Sequence, residues 1–263
     1  VKVTILSNWG GMAQQVSISE VRFSYVPMQA FNPQPADGAT GVGVGEALNW
    51  RPGRQATSHT VYIGTDRDAV AGGTLAGKIT TDHSYAPPLN LGTQYYWKID
   101  ESGPAGDFAG DVWSFMTEDF LVVDDFEGYT DKEGARIYEF WIDGLTTGTN
   151  GSTVGYLQAP FAEKTIVRSG TQSMPLSYDN TLAPQYSEAE LAFASAQDWT
   201  RYGVTTLVVN FRGNTTNSPA SVYVKINGTK IIYNNGAAAT TMNLWKQWAI
   251  PLAATGVNLK SVK

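Results

Sequence analysis

Several stretches of the C-terminal half of the sequence combine aromatic and polar side chains at close spacing. One group contains Tyr138, Trp141, Asp143 and Tyr156 and surrounds the polar segment 143–152. A pyranose ring has an apolar C–H face that stacks on an aromatic ring, while its hydroxyls need polar partners. These residue types at this spacing therefore predict contacts to a sugar.

Two further groups share this composition, one in a loop near residue 200 and one in a predicted strand over 244–250. Their members are Trp199, Arg201 and Tyr202 in the loop, and Trp245 in the strand. The alternation over 244–250 places Trp248 on the core side and Trp245 on the opposite face. For every aromatic residue here, burial in a β core is the competing interpretation, because aromatic rings supply much of the core area.

Paired carboxylates, the usual machinery of glycosidases, occur at Glu188 and Glu190. Two residues apart on a strand, they share one face, and a solvated outer face is the alternative interpretation. A general acid also needs surroundings that raise its pKa. A lyase would instead use a base such as Tyr138, with Arg136 nearby. If the protein is an enzyme, Glu188, Glu190 and Tyr138 are its candidate catalytic residues.

The sequence contains only two histidines, His59 and His83, and no Gly-x-Ser-x-Gly motif. We expect both histidines at the surface. Cysteine is absent, which excludes disulfides, thiolate metal sites and a cysteine nucleophile.

The charge balance argues against a nucleic-acid partner. The chain has 18 Lys and Arg against 24 Asp and Glu, a net charge of −6, whereas phosphate binding needs clustered cations.

No apolar run in the sequence approaches the roughly 20 residues of a membrane span. The low charged fraction of 16% and the aromatic fraction of 12% suit a neutral or weakly polar ligand.

The elements that must position these residues are predicted to be strands. Short alternating segments separated by Gly and Pro turns recur along the chain, and helical periodicity does not persist beyond a turn. Between 46 and 117 the predicted strands are 47–50, 60–63, 78–79, 94–100 and 112–116. Between 119 and 263 they are 121–126, 165–167, 173–178, 188–193, 205–211, 220–226, 230–233 and 245–251. The fold class is therefore predicted to be all-β.

The first set of strands resembles a fibronectin type III domain. The resemblance rests on the segments 48–50, 59–65, 91–100 and 112–115. It implies that Trp50 fills the core between two sheets and that Tyr95 is the corner tyrosine whose hydroxyl caps a backbone group upstream.

The segments 122–129 and 169–178 resemble galactose-binding-like β-sandwiches, which occur as carbohydrate-binding modules in large secreted bacterial proteins of planctomycete type. This implies a jelly-roll sandwich over 119–263, which appears in the sequence without its usual closing strand. Residues 1–26 resemble the last two strands of another such sandwich.

The same resemblance implies a structural calcium ion. Asp125 and Glu127 share a face, and the family often holds calcium near this strand and a Ser-Gly turn, here Ser169-Gly170. Carboxylate and carbonyl oxygens suit Ca²⁺. A charged strand end without a metal is the alternative.

Together these features predict an orphan strand pair (1–30), a fibronectin type III-like spacer (31–118) and a jelly-roll domain (119–263). The predicted function is non-catalytic polysaccharide binding within a secreted multidomain protein, with neighbouring modules as partners. The alternatives are a β-sandwich hydrolase or lyase and a structural adhesion spacer.

Strands of 1–26 are also expected to pair with an open sheet edge, in the same chain or through self-association. Deletion of 1–30 should then change the melting temperature or the oligomeric state.

Overall fold

The computed structural model describes Thr4, Val21, Arg22 and residues 25–263, except Asn235 and the side chain of Ala237. The strand pair expected within 1–26 lies almost entirely outside the described residues. The strand pair and its pairing with an open sheet edge, in the same chain or through self-association, therefore remain predictions.

The described residues form short strands with a few helical turns, which confirms the all-β prediction. The strands are β1 (Phe31–Gln34), β2 (Ala39–Val42), β3 (Leu48–Arg51), β4 (Ser58–Gly64), β5 (Lys78–Thr80), β6 (Ser84–Tyr85), β7 (Gln94–Gly103), β8 (Gly106–Phe108), β9 (Trp113–Thr117), β10 (Trp141–Ile142), β11 (Ser152–Val154), β12 (Leu176–Tyr178), β13 (Glu190–Leu191), β14 (Thr206–Phe211), β15 (Tyr223–Ile226), β16 (Thr229–Ile232) and β17 (Lys246–Pro251). The α-helices are α1 (Arg67–Ala71), α2 (Ile137–Phe140) and α3 (Gly144–Thr147), and 3₁₀ turns cover Ala237–Thr241 and Leu252–Ala254. Within this described part of the chain, no helix is long and apolar enough to span a membrane.

The chain divides into two compact units. The first contains the described residues up to Gly38 together with Ala47–Pro87 and Tyr95–Phe115, and the second contains Ala39–Glu46, Pro88–Gln94 and Met116–Lys263.

The first unit follows the predicted alternation of apolar and polar residues. Its antiparallel strands β1, β3 and β6 form one sheet, and the order β9-β7-β4-β5 forms another, with β8 beside β7. Alternate side chains point to one face, so Leu48 and Trp50 of β3 are buried, as are Trp97 and Ile99 of β7. Trp50 also lies 5.7 Å from His59 of β4, measured between ring centroids, so the two sheets meet through a shared core.

His59 corrects one expectation, because its side chain is only 1% exposed. Its Nδ1 forms a short hydrogen bond with Glu101, which is equally buried and also accepts the Gly53 N–H at 2.9 Å. A buried polar group needs such partners. The second histidine, His83, is exposed as predicted and lies edge-on to His59, with 4.9 Å between ring centroids.

The second unit is built from two-stranded antiparallel ladders and two small cores. The ladders are β10-β13, β11-β12, β14-β17 and β15-β16. One core is formed by Tyr233, Ala239, Trp248 and Ile250, and the other by Ile226, Leu252 and Val262. Burial of Trp248 confirms its predicted core position. The finer assignment of a jelly roll stays a prediction.

Two predicted strands of the second unit do not form. In 121–126, Asp124 and Asp125 each accept a hydrogen bond from the backbone N–H two residues later, and Phe126 has a positive φ of 65°. In 165–167, the N–H groups of Thr165 and Ile166 donate to Glu163 instead of to a neighbouring strand. Side-chain acceptors of this kind compete with strand pairing and favour turns.

Candidate functional site

A polar cavity of about 200 Å³ opens in the second unit, between the loop that precedes α2 and the segment 162–172. Its lining is Tyr129, Thr130, Asp131, Ile137, Ala162, Lys164 and Gln172. A cavity of this size with both charged and aromatic lining can accept part of one sugar ring.

Gln172 organises the cavity from a buried position. Its Nε2 donates to the backbone carbonyls of Phe126 and Tyr129, and its Oε1 accepts a short hydrogen bond from Lys164. All polar atoms of this amide are thus satisfied, as a buried polar side chain requires. The amide therefore fixes the loop carbonyls and the Lys164 ammonium in one arrangement.

Asp124 orients two aromatic residues beside the cavity. Its Oδ2 accepts hydrogen bonds from the Tyr129 hydroxyl at 2.5 Å and from the Trp141 Nε1 at 2.7 Å. Burial and this hydrogen bond raise the pKa of Tyr129 above its ordinary value. The phenol consequently remains protonated at any physiological pH.

The loop after β11 brings Tyr156 to the surface next to the cavity. Gly155 begins this loop with a φ of +79°, a left-handed conformation that glycine adopts without steric cost. The Tyr156 N–H donates to the Phe161 carbonyl at 2.8 Å, and the Phe161 N–H donates to the cavity residue Asp131 at 2.9 Å. Tyr156 itself is 44% exposed, so a large part of this residue is accessible to solvent.

Tyr138 and Tyr156, two residues of one predicted sugar-binding group, meet at this loop. Tyr138 packs edge-on against Phe161, with 5.2 Å between ring centroids. The Arg136 guanidinium lies 5.3 Å from the centre of the Phe161 ring, and its Nε donates to the Asp131 carbonyl at 3.2 Å. The structure therefore places aromatic rings, a cation and a carboxylate side by side.

Glu163 and Tyr156 have pKa values that keep them out of proton transfer near neutral pH. Hydrogen bonds from the Thr165 hydroxyl, from Tyr156 and from the Thr165 N–H lower the pKa of Glu163 to about 2. The hydrogen bond to Glu163, with burial, raises the pKa of Tyr156 to about 12. A general acid or base works best when its pKa lies near the working pH. This pair is therefore suited to holding a ligand and is poorly suited to acid–base catalysis.

The other predicted ligand-binding residues have varied positions. Asp143 is 2% exposed, and its carboxylate accepts the N–H groups of Thr146 and Val154, so it caps α3 and holds β11. Trp199 packs edge-on against Phe193 beside a core.

Arg201 and Tyr202 do come together, because the guanidinium lies 4.6 Å from the centre of the Tyr202 ring. Trp141 and Trp245 are each partly buried. These two tryptophans and the Arg201–Tyr202 pair remain predicted ligand-binding residues.

The contacts that the structure describes do not bring the candidate catalytic residues Glu188, Glu190 and Tyr138 together at one site. Glu190 is exposed on β13. Glu188 accepts hydrogen bonds from Tyr223 and Lys225, each at 2.5 Å. Burial acts to raise the pKa of Glu188, but these two hydrogen bonds outweigh it, so that the pKa is lowered. An ionised carboxylate of this kind is a poor general acid.

Of the predicted calcium residues, Glu127 lies beside the Ser169-Gly170 turn, and its oxygens face N–H and O–H donors. Glu127 accepts hydrogen bonds from the Thr171 hydroxyl, the Thr171 N–H and the Gln172 N–H, directly after Ser169-Gly170. The Thr171 hydroxyl and N–H lower the pKa of Glu127. Asp125 accepts the Glu127 N–H. In the portion of the chain that the structure describes, no group of three acidic or histidine side chains could hold a metal. The calcium ion at these residues remains a prediction.

Sequence reasoning missed several residues of the cavity. Asp131, Lys164 and Gln172 lie in loops without periodicity, and their meeting depends on contacts distant in sequence. Gln172 and Tyr129 lie inside the two segments that carried the resemblance to galactose-binding-like sandwiches. The position of Gln172 within such a segment was the available signal.

No protein-family model matches the chain, and no curated protein matches it. Among solved structures, it is similar to an α-L-rhamnosidase from Dictyoglumus thermophilum, at 13% identity and a TM-score of 0.31 over 78% of this chain and 21% of that one. It is also similar to the Streptomyces avermitilis α-L-rhamnosidase complexed with L-rhamnose, at 12% identity and a TM-score of 0.28 over 89% of this chain and 21% of that one. The chain thus spans about a fifth of these structures. Scores this low carry no argument about function.

Proposed function

We propose that the second unit binds polysaccharide without cleaving it, at the cavity and the adjoining Tyr156 ring. The observation that supports this most is the position of Tyr156, a residue that is 44% exposed while its hydroxyl is held by Glu163. A ring fixed in this way offers a flat apolar surface and loses little conformational entropy on binding.

The cavity supplies the polar half of the proposed site. Asp131 accepts hydrogen bonds, Lys164 donates them, and both lie in the lining. Sugar hydroxyls both donate and accept, so a lining with both functions suits a neutral sugar. The pKa values of Glu163 and Tyr156 lie far from neutrality on opposite sides, which favours binding over hydrolysis or elimination. An extracellular location is part of this proposal, as in the sequence-based prediction.

Tyr156→Ala tests the proposal, with Tyr178→Ala as the matched control, because Tyr178 is a comparably exposed tyrosine at 37% on β12 of the same unit. Both variants and the parent protein are incubated with a panel of neutral polysaccharides, and retained protein and released sugar are measured. We expect Tyr156→Ala to weaken retention about tenfold, equivalent to ~1.4 kcal/mol, while Tyr178→Ala binds like the parent.

Each assay is run with added calcium and with EDTA, which tests the calcium prediction at the same time. Retention that is lost in EDTA and restored by calcium would support a bound ion. Release of saturated or unsaturated sugar would contradict non-catalytic binding and favour the enzyme alternative. Absence of any retention by the parent protein would favour the structural spacer.

A further inference from the structure

The hairpin of β15 and β16 presents two different faces. Its register pairs Tyr223 with Ile232 and Lys225 with Lys230, so these four side chains share one face. The other face packs into the two cores through Val224, Ile226 and Ile231. The Tyr223 face is therefore the outer one, and Ile232 is 54% exposed there.

Two lysines directly opposite each other are an unfavourable pair in a β ladder. Lys225 is compensated by Glu188, whose Oε1 lies 2.5 Å from its Nζ. Lys230 lies over the Tyr223 ring, with its Nζ 4.0 Å from the centroid. Among the residues that the structure describes, no carboxylate lies within 4.0 Å of the Lys230 Nζ. The two lysines and Glu188 leave this face with one net positive charge in a chain whose net charge is −6, and Lys230 lies close enough to Glu188 to help lower the pKa of that carboxylate.

A second aromatic ring borders this face. Tyr186 is 39% exposed, and the Lys225 Nζ lies 5.9 Å from the centre of its ring. The Tyr223 hydroxyl is held by Glu188 at 2.5 Å, which keeps the Tyr223 ring in place beneath Lys230. Apolar surface, an oriented ring and a cation therefore lie within one small exposed area.

We propose that this hairpin face, formed by Tyr186, Tyr223, Lys225, Lys230 and Ile232, binds an acidic sugar residue. The sugar ring lies against Ile232 and Tyr186, and its carboxylate or sulfate group pairs with the Lys230 ammonium. Lys230 is the residue that supplies specificity for the anion, because Glu188 already neutralises Lys225. This face is separate from the lining of the cavity, so the inference does not depend on the proposed function.

Substitution of Glu188 tests the inference by an expected gain in affinity for the anion. Its carboxylate competes with any incoming anion for the lysines, so Glu188→Gln should strengthen anion binding. The backbone contacts of Glu188 with Asn150 and Ser152 are retained in that variant. A merely structural cluster would show no gain in affinity when its central carboxylate is removed.

The experiment measures binding of oligogalacturonate, dextran sulfate and neutral dextran by titration calorimetry, for the parent protein and four variants. Lys230→Gln should weaken binding of an acidic probe about three- to fivefold, the contribution of one exposed ion pair, and Glu188→Gln should strengthen it. Lys260→Gln removes the same charge from another exposed position of this unit and should bind like the parent. Circular dichroism checks that each variant is folded.

Dependence on Lys230 with either acidic probe supports the inference, and the probe that binds identifies the anion as carboxylate or sulfate. Equal losses in Lys230→Gln and Lys260→Gln, or no binding of either acidic probe by the parent, would overturn it. The fourth variant, Tyr156→Ala, separates the two proposals. If it alone abolishes binding of the acidic probes, these probes bind beside Tyr156 and the hairpin inference fails.

Discussion

The two units of this protein bury their apolar side chains to different extents. In the first, β7 alone buries Tyr95, Trp97 and Ile99 along ten residues of continuous strand. In the second, the six-residue strands β14 and β17 form the longest of the two-stranded ladders, and only Trp248 and Ile250 are buried there. Long alternating strands thus organise the first unit through its core.

Carboxylates that bind backbone N–H groups hold several loops of the second unit, as Asp66, Asp100 and Glu101 also do in the first. Asp124, Glu127, Asp143 and Glu163 each accept at least one such hydrogen bond and hold a loop in place. Hydrogen bonds to a charged acceptor are stronger than those between neutral groups. Loops at a candidate binding site can therefore be ordered by polar contacts where the core is small.

Trp97→Ala should have the largest effect, because it removes a fully buried ring that packs 4.8 Å from Trp113 between centroids. We expect the free energy of unfolding of the first unit to fall by about 3–5 kcal/mol. Hydrogen exchange of the amides of β4 and β7 measures it. Ile79→Ala, at a side chain that is 68% exposed, is the control and should leave exchange almost unchanged. Similar effects in both variants would mean that the core does not dominate this unit.

Asp143→Ala tests the contribution of the carboxylates to the second unit. The substitution leaves the N–H of Thr146 and the buried N–H of Val154 without their acceptors at 2.7 and 2.6 Å. A loss of about 2 kcal/mol is expected from the missing helix cap and the unsatisfied donors. Faster hydrogen exchange in α3 and β11 would report it. Asp179→Ala removes an exposed carboxylate that bonds Thr181 and should have a smaller effect. A larger effect at Asp179 would contradict our account of this unit.

Glu163 should give the smallest effect, visible as a pH dependence. Its pKa is lowered from 4.5 to about 2, so its contribution to stability is complete above pH 4.5. That contribution is lost as the pH falls from 4.5 through 2. Carboxyl-carbon NMR should place the Glu163 titration well below 4.5 in the parent protein and higher in Thr165→Val, which lacks the donating hydroxyl. The melting temperature of Glu163→Gln should fall less over this pH range. A titration midpoint near pH 4.5 for Glu163 in the parent protein would contradict the role given to its hydrogen bonds.

Sequence reasoning located most strands of the first unit within one to three residues of their observed ends. It also placed Trp50 and Trp248 correctly in cores. These successes share one cause, because alternation with a period of two is a local property of a strand and is visible in the sequence. The failures at 121–126 and 165–167 also share a cause. There the apolar pattern was present, but nearby carboxylates captured the backbone N–H groups.

The sequence by itself determined the all-β class, the alternation that buries the cores and the chemical inventory, including the absence of cysteine. Only the tertiary structure decided that His59 pairs with Glu101, that Gln172 contacts Lys164 and that Lys230 lies over Tyr223. The first two pairs join different strands or loops, and the third joins two strands across a hairpin. Alternation assigns a side chain to a face of its own strand, whereas the partner that it meets depends on which strands pair and in what register.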